Sequence, residues 1–108
     1  MRSAQPKAVI TGPSTKLYST QLVTVYPPKE LIFVGTHANG RYDNQGTAFV
    51  GVWSEHDNGD VPPRWTIGGP NGVLRQTRGV ALDPEHKTII ISDKYVNAVL
   101  TYSFPEVF

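Results

Sequence analysis

Apolar residues along this chain fall in short runs, each broken by Gly, Pro or a polar turn, and no stretch carries the spacing of an amphipathic helix. The runs also recur. Setting Pro6 against Pro63, an offset of 63 − 6 = 57, brings Ile10 onto Ile67, Gly12-Pro13 onto Gly69-Pro70, Leu17 onto Leu74, Val23 onto Val80 and Pro27 onto Pro84. Leu31-Ile32-Phe33-Val34 then falls on Thr88-Ile89-Ile90-Ile91. The pattern predicts strands over Leu22 to Tyr26, Glu30 to Gly35, Thr47 to Ser54 and Arg64 to Ile67. In the second unit it predicts strands over Gly79 to Asp83, Thr88 to Ser92 and Ala98 to Phe104. Leu31 to Val34 and Ile89 to Ile91 are continuous rather than alternating, so both faces of these strands should be buried.

A period near 50 residues made of short strands is the mark of an all-β repeat architecture, here a β-propeller. The second unit lacks a fourth strand, but Lys7 to Pro13 aligns with the fourth strand of the first unit. The chain therefore divides into an outer strand at 7–13, a four-stranded blade at 20–70 and three strands of a second blade at 77–108. Propellers carry roughly four to eight blades, so two cannot close a ring. Identical chains are expected to complete it, the strand around Val9-Ile10 finishing the open blade of a neighbour.

Arg78-Gly79-Val80-Ala81-Leu82-Asp83-Pro84, then Ile89-Ile90-Ile91-Ser92-Asp93 and Asn97-Ala98-Val99, resembles an NHL-repeat blade. The first unit departs from that signature, with Leu22 to Pro27 in its place and Thr36 where the repeat has Asp. The resemblance implies a six-bladed propeller of the broad group that includes paraoxonases, gluconolactonases and senescence marker protein. Three copies, a homotrimer, would supply six blades.

Composition narrows the partners. In 108 residues with 39% hydrophobic content, 10 Lys and Arg stand against 9 Asp and Glu without a basic run, which removes the footprint of nucleic-acid binding. No apolar stretch reaches membrane-spanning length, and Met1 to Ile10 has no signal-peptide centre, so a soluble single domain is expected. With no Cys, disulfides and thiolate chemistry are excluded.

Candidate chemistry gathers where the fourth-to-first and second-to-third strand loops meet, at the mouth of the expected channel. Thr20-Gln21 and Thr77-Arg78 open the innermost strands there, and the second strands exit through Thr36-His37-Ala38-Asn39 and Asp93-Lys94-Tyr95-Val96-Asn97. The first exit loop is longer by 7, the extra length being Gly40 to Gly46, and insertions on one face of a repeat protein often mark its binding face. Three copies of His37 round one mouth would form a hydrolytic zinc arrangement with an open fourth position. Arg78 would favour a carboxylate or phosphate, or else pin the loops by pairing with Asp93 or Asp43.

These residues define a candidate catalytic set of His37, Asp93 and Arg78, with His37 as metal ligand. Gln21, Asn39, Arg41, Tyr42, Lys94 and Tyr95 are candidate substrate contacts. A divalent metal, zinc or calcium, is the expected cofactor, although the calcium site of the paraoxonase group is poorly matched because Gln21 and Arg78 occupy its places. His56 and His86 are expected on the opposite face. Asp57-Asn58-Gly59-Asp60 reads as a hairpin turn rather than a calcium loop. The reading that follows is a metal-dependent hydrolase of lactones, esters or phosphotriesters. The alternative is a non-catalytic NHL-type binding or scaffold module, since no nucleophile elbow, phosphate loop or Cys-His pair occurs.

Overall fold

The computed structural model describes residues 3–37, 48–69 and 72–108. They form β1 (Thr20–Tyr26), β2 (Leu31–Thr36), β3 (Phe49–Ser54), β4 (Trp65–Gly68), β5 (Thr77–Asp83), β6 (Thr88–Asp93) and β7 (Ala98–Ser103). All pairings are antiparallel, and the strands make two sheets in simple sequence order, β1-β2-β3-β4 and β5-β6-β7. The seven strands expected within the two units are present, whereas the outer strand expected at 7–13 is not. β1 and β5 begin two residues earlier than expected, because a bulge between Thr20 and Leu22, and again between Thr77 and Gly79, breaks the alternation on which a strand is recognised.

The 57-residue repeat persists down to single backbone bonds. In the turn after β1 the Glu30 N–H donates to the Pro27 carbonyl at 3.1 Å, and in the turn after β5 Lys87 does the same to Pro84 at 3.3 Å. Glu30 and Lys87 both take left-handed backbone angles, φ 53° and 55°. Each turn then accepts the residue that follows the third strand, Glu55 N–H on the Glu30 carbonyl and Phe104 N–H on that of Lys87. The sheets themselves correct one alignment. Phe49 lies opposite Thr36 and Ala98 opposite Asp93, so the first exit connection spans 49 − 36 = 13 positions against 98 − 93 = 5, a difference of 8 rather than 7.

The core lies between the sheets. From the first come Leu31, Phe33, Val50 and Val52, from the second Ile89 and Ile91, with Val80, Leu82, Leu100 and Tyr102 packed against them. Val107, in the closing turn at Pro105–Val107, is fully buried in the same cluster, and Phe108 meets the Tyr26 ring edge-on with centroids 5.2 Å apart. Close approach at the centre requires Gly35, where a Cβ would stand 2.7 Å from both Leu22 Cγ and Thr77 Oγ1.

The segment expected to act as an outer strand forms only a single bridge, Ile10 to Gly59, in a parallel sense. It is held on the β3–β4 connection of its own chain. Gly59 N–H donates to the Val9 carbonyl at 2.8 Å, Val9 N–H to Asn58 Oδ1 at 2.9 Å, and Ser14 N–H to Asp60 Oδ1 at 2.8 Å. Asp57 to Asp60 thus form a turn, as expected, and one that serves as an anchoring platform. Asp57 also accepts the Ser54 N–H and pairs with Arg64 at 2.9 Å, and this bond to Arg64 holds its carboxyl below the usual carboxylate range.

Among the described residues no helix is long and apolar enough to cross a membrane. Phe33→Ala should cost about 3–5 kcal/mol of stability in urea unfolding, by lost transfer energy and the cavity left behind. Gly35→Ala should cost about 1–3 kcal/mol by overpacking against Leu22 and Thr77. A Gly35→Ala protein as stable as the parent would show that the two innermost strands are not in tight contact.

Candidate functional site

The two bulges bring equivalent residues of the repeat together. Gln21 and Arg78, 57 positions apart, are the extra residues of β1 and β5, and Arg78 Nη1 donates to Gln21 Oε1 at 2.9 Å. A bulge turns its extra side chain away from the regular pleat, which aims both at one rim. Among the described residues Arg78 makes no ion pair with Asp93. Its bond goes to Gln21, and Asp43 lies outside the described residues.

His37 and Lys94 follow the second strands of the two sheets, again 57 positions apart. A bridge joins His37 to Gln76, whose carbonyl accepts the Lys94 N–H at 2.9 Å, while the His37 N–H donates to the Tyr18 carbonyl at 3.1 Å. Gln76 was not singled out by its sequence. The signal was its position beside Thr77 at the start of a bulged strand, which says nothing about the side of the sheet it serves. His37 Nε2 is inaccessible to solvent and has no hydrogen-bond partner among the described residues, although the ring as a whole is only partly buried. Burial and, next, the positive charge of Arg78 push the His37 pKa below 6.5, against an opposing pull from Asp93 that exceeds the further lowering by Lys94.

Asp93 is not a free carboxylate. It is 3% exposed, and its Oδ2 accepts the Arg75 and Gln76 N–H groups at 2.7 and 2.8 Å while its Oδ1 accepts those of Tyr95 and Val96 at 3.0 and 3.1 Å. Both oxygens are committed to holding two loops in place, which leaves little lone-pair capacity for a metal or for orienting His37. Thr36 holds the equivalent position in the first sheet and does part of the same work, taking the Tyr18 N–H at 2.7 Å and donating to the Tyr18 carbonyl. The difference between Asp and Thr is one of how many loop amides must be satisfied.

A groove of about 290 Å³ opens beside this network, lined by Arg78, Ser92, Asp93, Lys94, Asn97, Ala98 and Val99. The structure thus gathers Gln21, His37, Arg78, Asp93 and Lys94 at one end of the sheets. Tyr95 stands nearby with its side chain largely exposed. Asn39, Arg41 and Tyr42, with the rest of the expected insertion, lie outside the described residues. His56 and His86 sit at the opposite end, exposed, in bonds of 2.7 Å to Glu30 and 2.8 Å to Asp83. Asp83, Glu85 and His86 offer ligand atoms within 4.8 Å of one another in that turn, but His86 already holds the Asp83 carboxyl, lowering its pKa. No known protein family, curated protein or solved structure matches the chain.

Two outcomes follow from this geometry. Replacing Asp93 by Ala strands four loop amides, so stability should fall by at least about 3 kcal/mol in urea, with Asn, which keeps one acceptor oxygen, in between. His37 should titrate below 6.5 by NMR. The folded protein then binds fewer protons than the unfolded chain between that lowered value and 6.5, so stability is full above 6.5 and declines as pH drops through this window. Arg78→Gln should move the His37 midpoint upward, and an unmoved midpoint would show that the guanidinium does not reach the ring.

Proposed function

We propose that the chain is a two-blade unit of a six-bladed NHL-like propeller, three copies to a ring, and that its rim binds a small anionic group, a carboxylate or phosphate. The propeller reading is supported by two sheets of sequential strand order packed face to face, with the first strands adjacent and the turn between first and second strands repeated. One observation carries the anion reading. Arg78 and Lys94 line the same groove with no ion-pair partner among the described residues, while Asp93, in that groove, has both oxygens filled by backbone amides. Gln21 holds the guanidinium by one nitrogen and leaves the rest of its donors for a bidentate partner.

The hydrolase reading has one observation in its favour, a neutral imidazole whose buried Nε2 lacks a partner, as a metal ligand requires. Against it stand two cations within electrostatic reach and a carboxylate already spent. The binding module is the better fit.

Titrating the protein with inorganic phosphate and with acetate separates these readings. Amide and Arg78 side-chain NMR signals in 76–79 and 92–97 should move with a Kd on the order of 1 mM, about 4 kcal/mol, and Arg78→Gln should abolish the response without unfolding the chain. No movement well above that concentration overturns anion binding. In the same preparation, chelator-sensitive hydrolysis of an activated ester that is lost in His37→Ala would replace this reading by the metal mechanism.

A further inference from the structure

The contact between the two sheets joins unlike faces. The first sheet presents Phe33, Val50 and Val52, all fully buried, while the second presents Val80, Leu82, Ile89 and Ile91. In the repeat these are different positions. Val80, Leu82, Ile89 and Ile91 are equivalent to Val23, Val25, Ile32 and Val34, which lie on the far face of the first sheet. Phe33 is equivalent to Ile90, and by strand register Val50 and Val52 are equivalent to Val99 and Thr101, on the far face of the second. Each far face therefore carries the side chains of an interface already formed once in the molecule. Exposure agrees. Val23 and Val25 are 67% and 48% exposed, and Val99 is 72% exposed where its equivalent Val50 is 0%.

The far face of the first sheet is also a groove of about 680 Å³, with Val23, Ile32, Val34 and Trp53 as its floor. Ala8, Ile10 and Leu17 of the N-terminal segment form a wall of it. Ile10 is the repeat equivalent of Ile67, which pairs with Val50 of β3. Gly12 and Gly69, equivalent two positions further on, both take positive φ, 126° and 115°. The segment thus shares the glycine conformation that follows the fourth strand and lies beside the face on which a three-stranded sheet is wanted.

We infer that a second copy of this chain docks its second sheet into this groove head to tail, its β7 pairing with the N-terminal segment so that Ile10 stands opposite Val99 of the second copy. The arrangement repeats the internal sheet contact with the same sense, a heterologous interface that closes into a ring. It also covers the open edge of β7, whose unpaired amides are otherwise an aggregation template. This inference rests on the propeller reading of the stacked sheets and is independent of the anion site.

A heterologous interface makes a demand that a two-fold one does not. Val23→Asp and Val99→Asp each spoil one of the two faces at an exposed position, so both should fold normally by circular dichroism and run as monomers in light scattering, where the parent runs as three chains. Mixed together they should form a dimer, because one good face of each kind remains. The chain has no Cys, so Ile10→Cys mixed with Val99→Cys should give a disulfide-linked dimer on mild oxidation, while each alone should give none. A monomeric parent, failure of the mixture to pair, or equal cross-linking in the unmixed variants overturns the inference. A monomeric parent that still binds phosphate would leave the rim reading standing.

Discussion

The first sheet is apolar on both faces and the second sets Ile90 and Val99 among Ser92 and Thr101 on its far face, while the one contact among the described residues covers only one face of each. That imbalance governs the rest. Burial of about 25 cal/mol per Å² drives Phe33, Val50 and Val52 against the second sheet, yet the same force leaves Val23, Val25 and Val99 in water. Side chains of this size are tolerated singly at a surface, whereas Val23 and Val25 stand in a row beside Ile32 and Val34 of the adjacent strand. The N-terminal segment fits the same logic, since it lies over the open face without completing a sheet of its own.

Precision at the rim comes from backbone bonding rather than from side-chain packing. Asp93 and Thr36 stand at matching points, each ending the second strand of its sheet and each satisfying the amides of the chain that leads into the first strand. Asp satisfies two further amides, Tyr95 and Val96, and so closes the short exit of the second sheet as well. With that loop fixed, Lys94 and Arg78 are held near each other, and like charges are brought together at a cost the backbone network absorbs. His37 registers the result. Its proton affinity is lowered by burial and by these two cations.

The bulges at Gln21 and Arg78 connect the two levels. They interrupt the ladders at the inner strands, turn their side chains to the rim, and make a hydrogen bond between residues that a repeat would otherwise keep apart as copies of one position. A single substitution in one unit of the repeat, Arg for Gln, converts two equivalent residues into a donor and its acceptor.

Seven strands, their order and the repeat were legible in the sequence because they follow from local alternation, Gly and Pro placement and a fixed offset, all short-range properties. The convergence of His37, Arg78, Lys94 and Asp93 was legible too, since each follows from its place in the repeat. What the residues do to one another was not. Asp93 read as a catalytic carboxylate because sequence carries residue type and not hydrogen-bond occupancy, and its four amide partners come from two loops that meet only in the fold. Asp93 was one of two acidic partners offered for Arg78, and the bond of Arg78 to Gln21 instead was not legible, charge being visible in a sequence and bulge geometry not. The strand at 7–13 was inferred from its likeness to β4, and a likeness specifies what a segment is able to pair with, whereas only the tertiary arrangement decides which edge is within its reach.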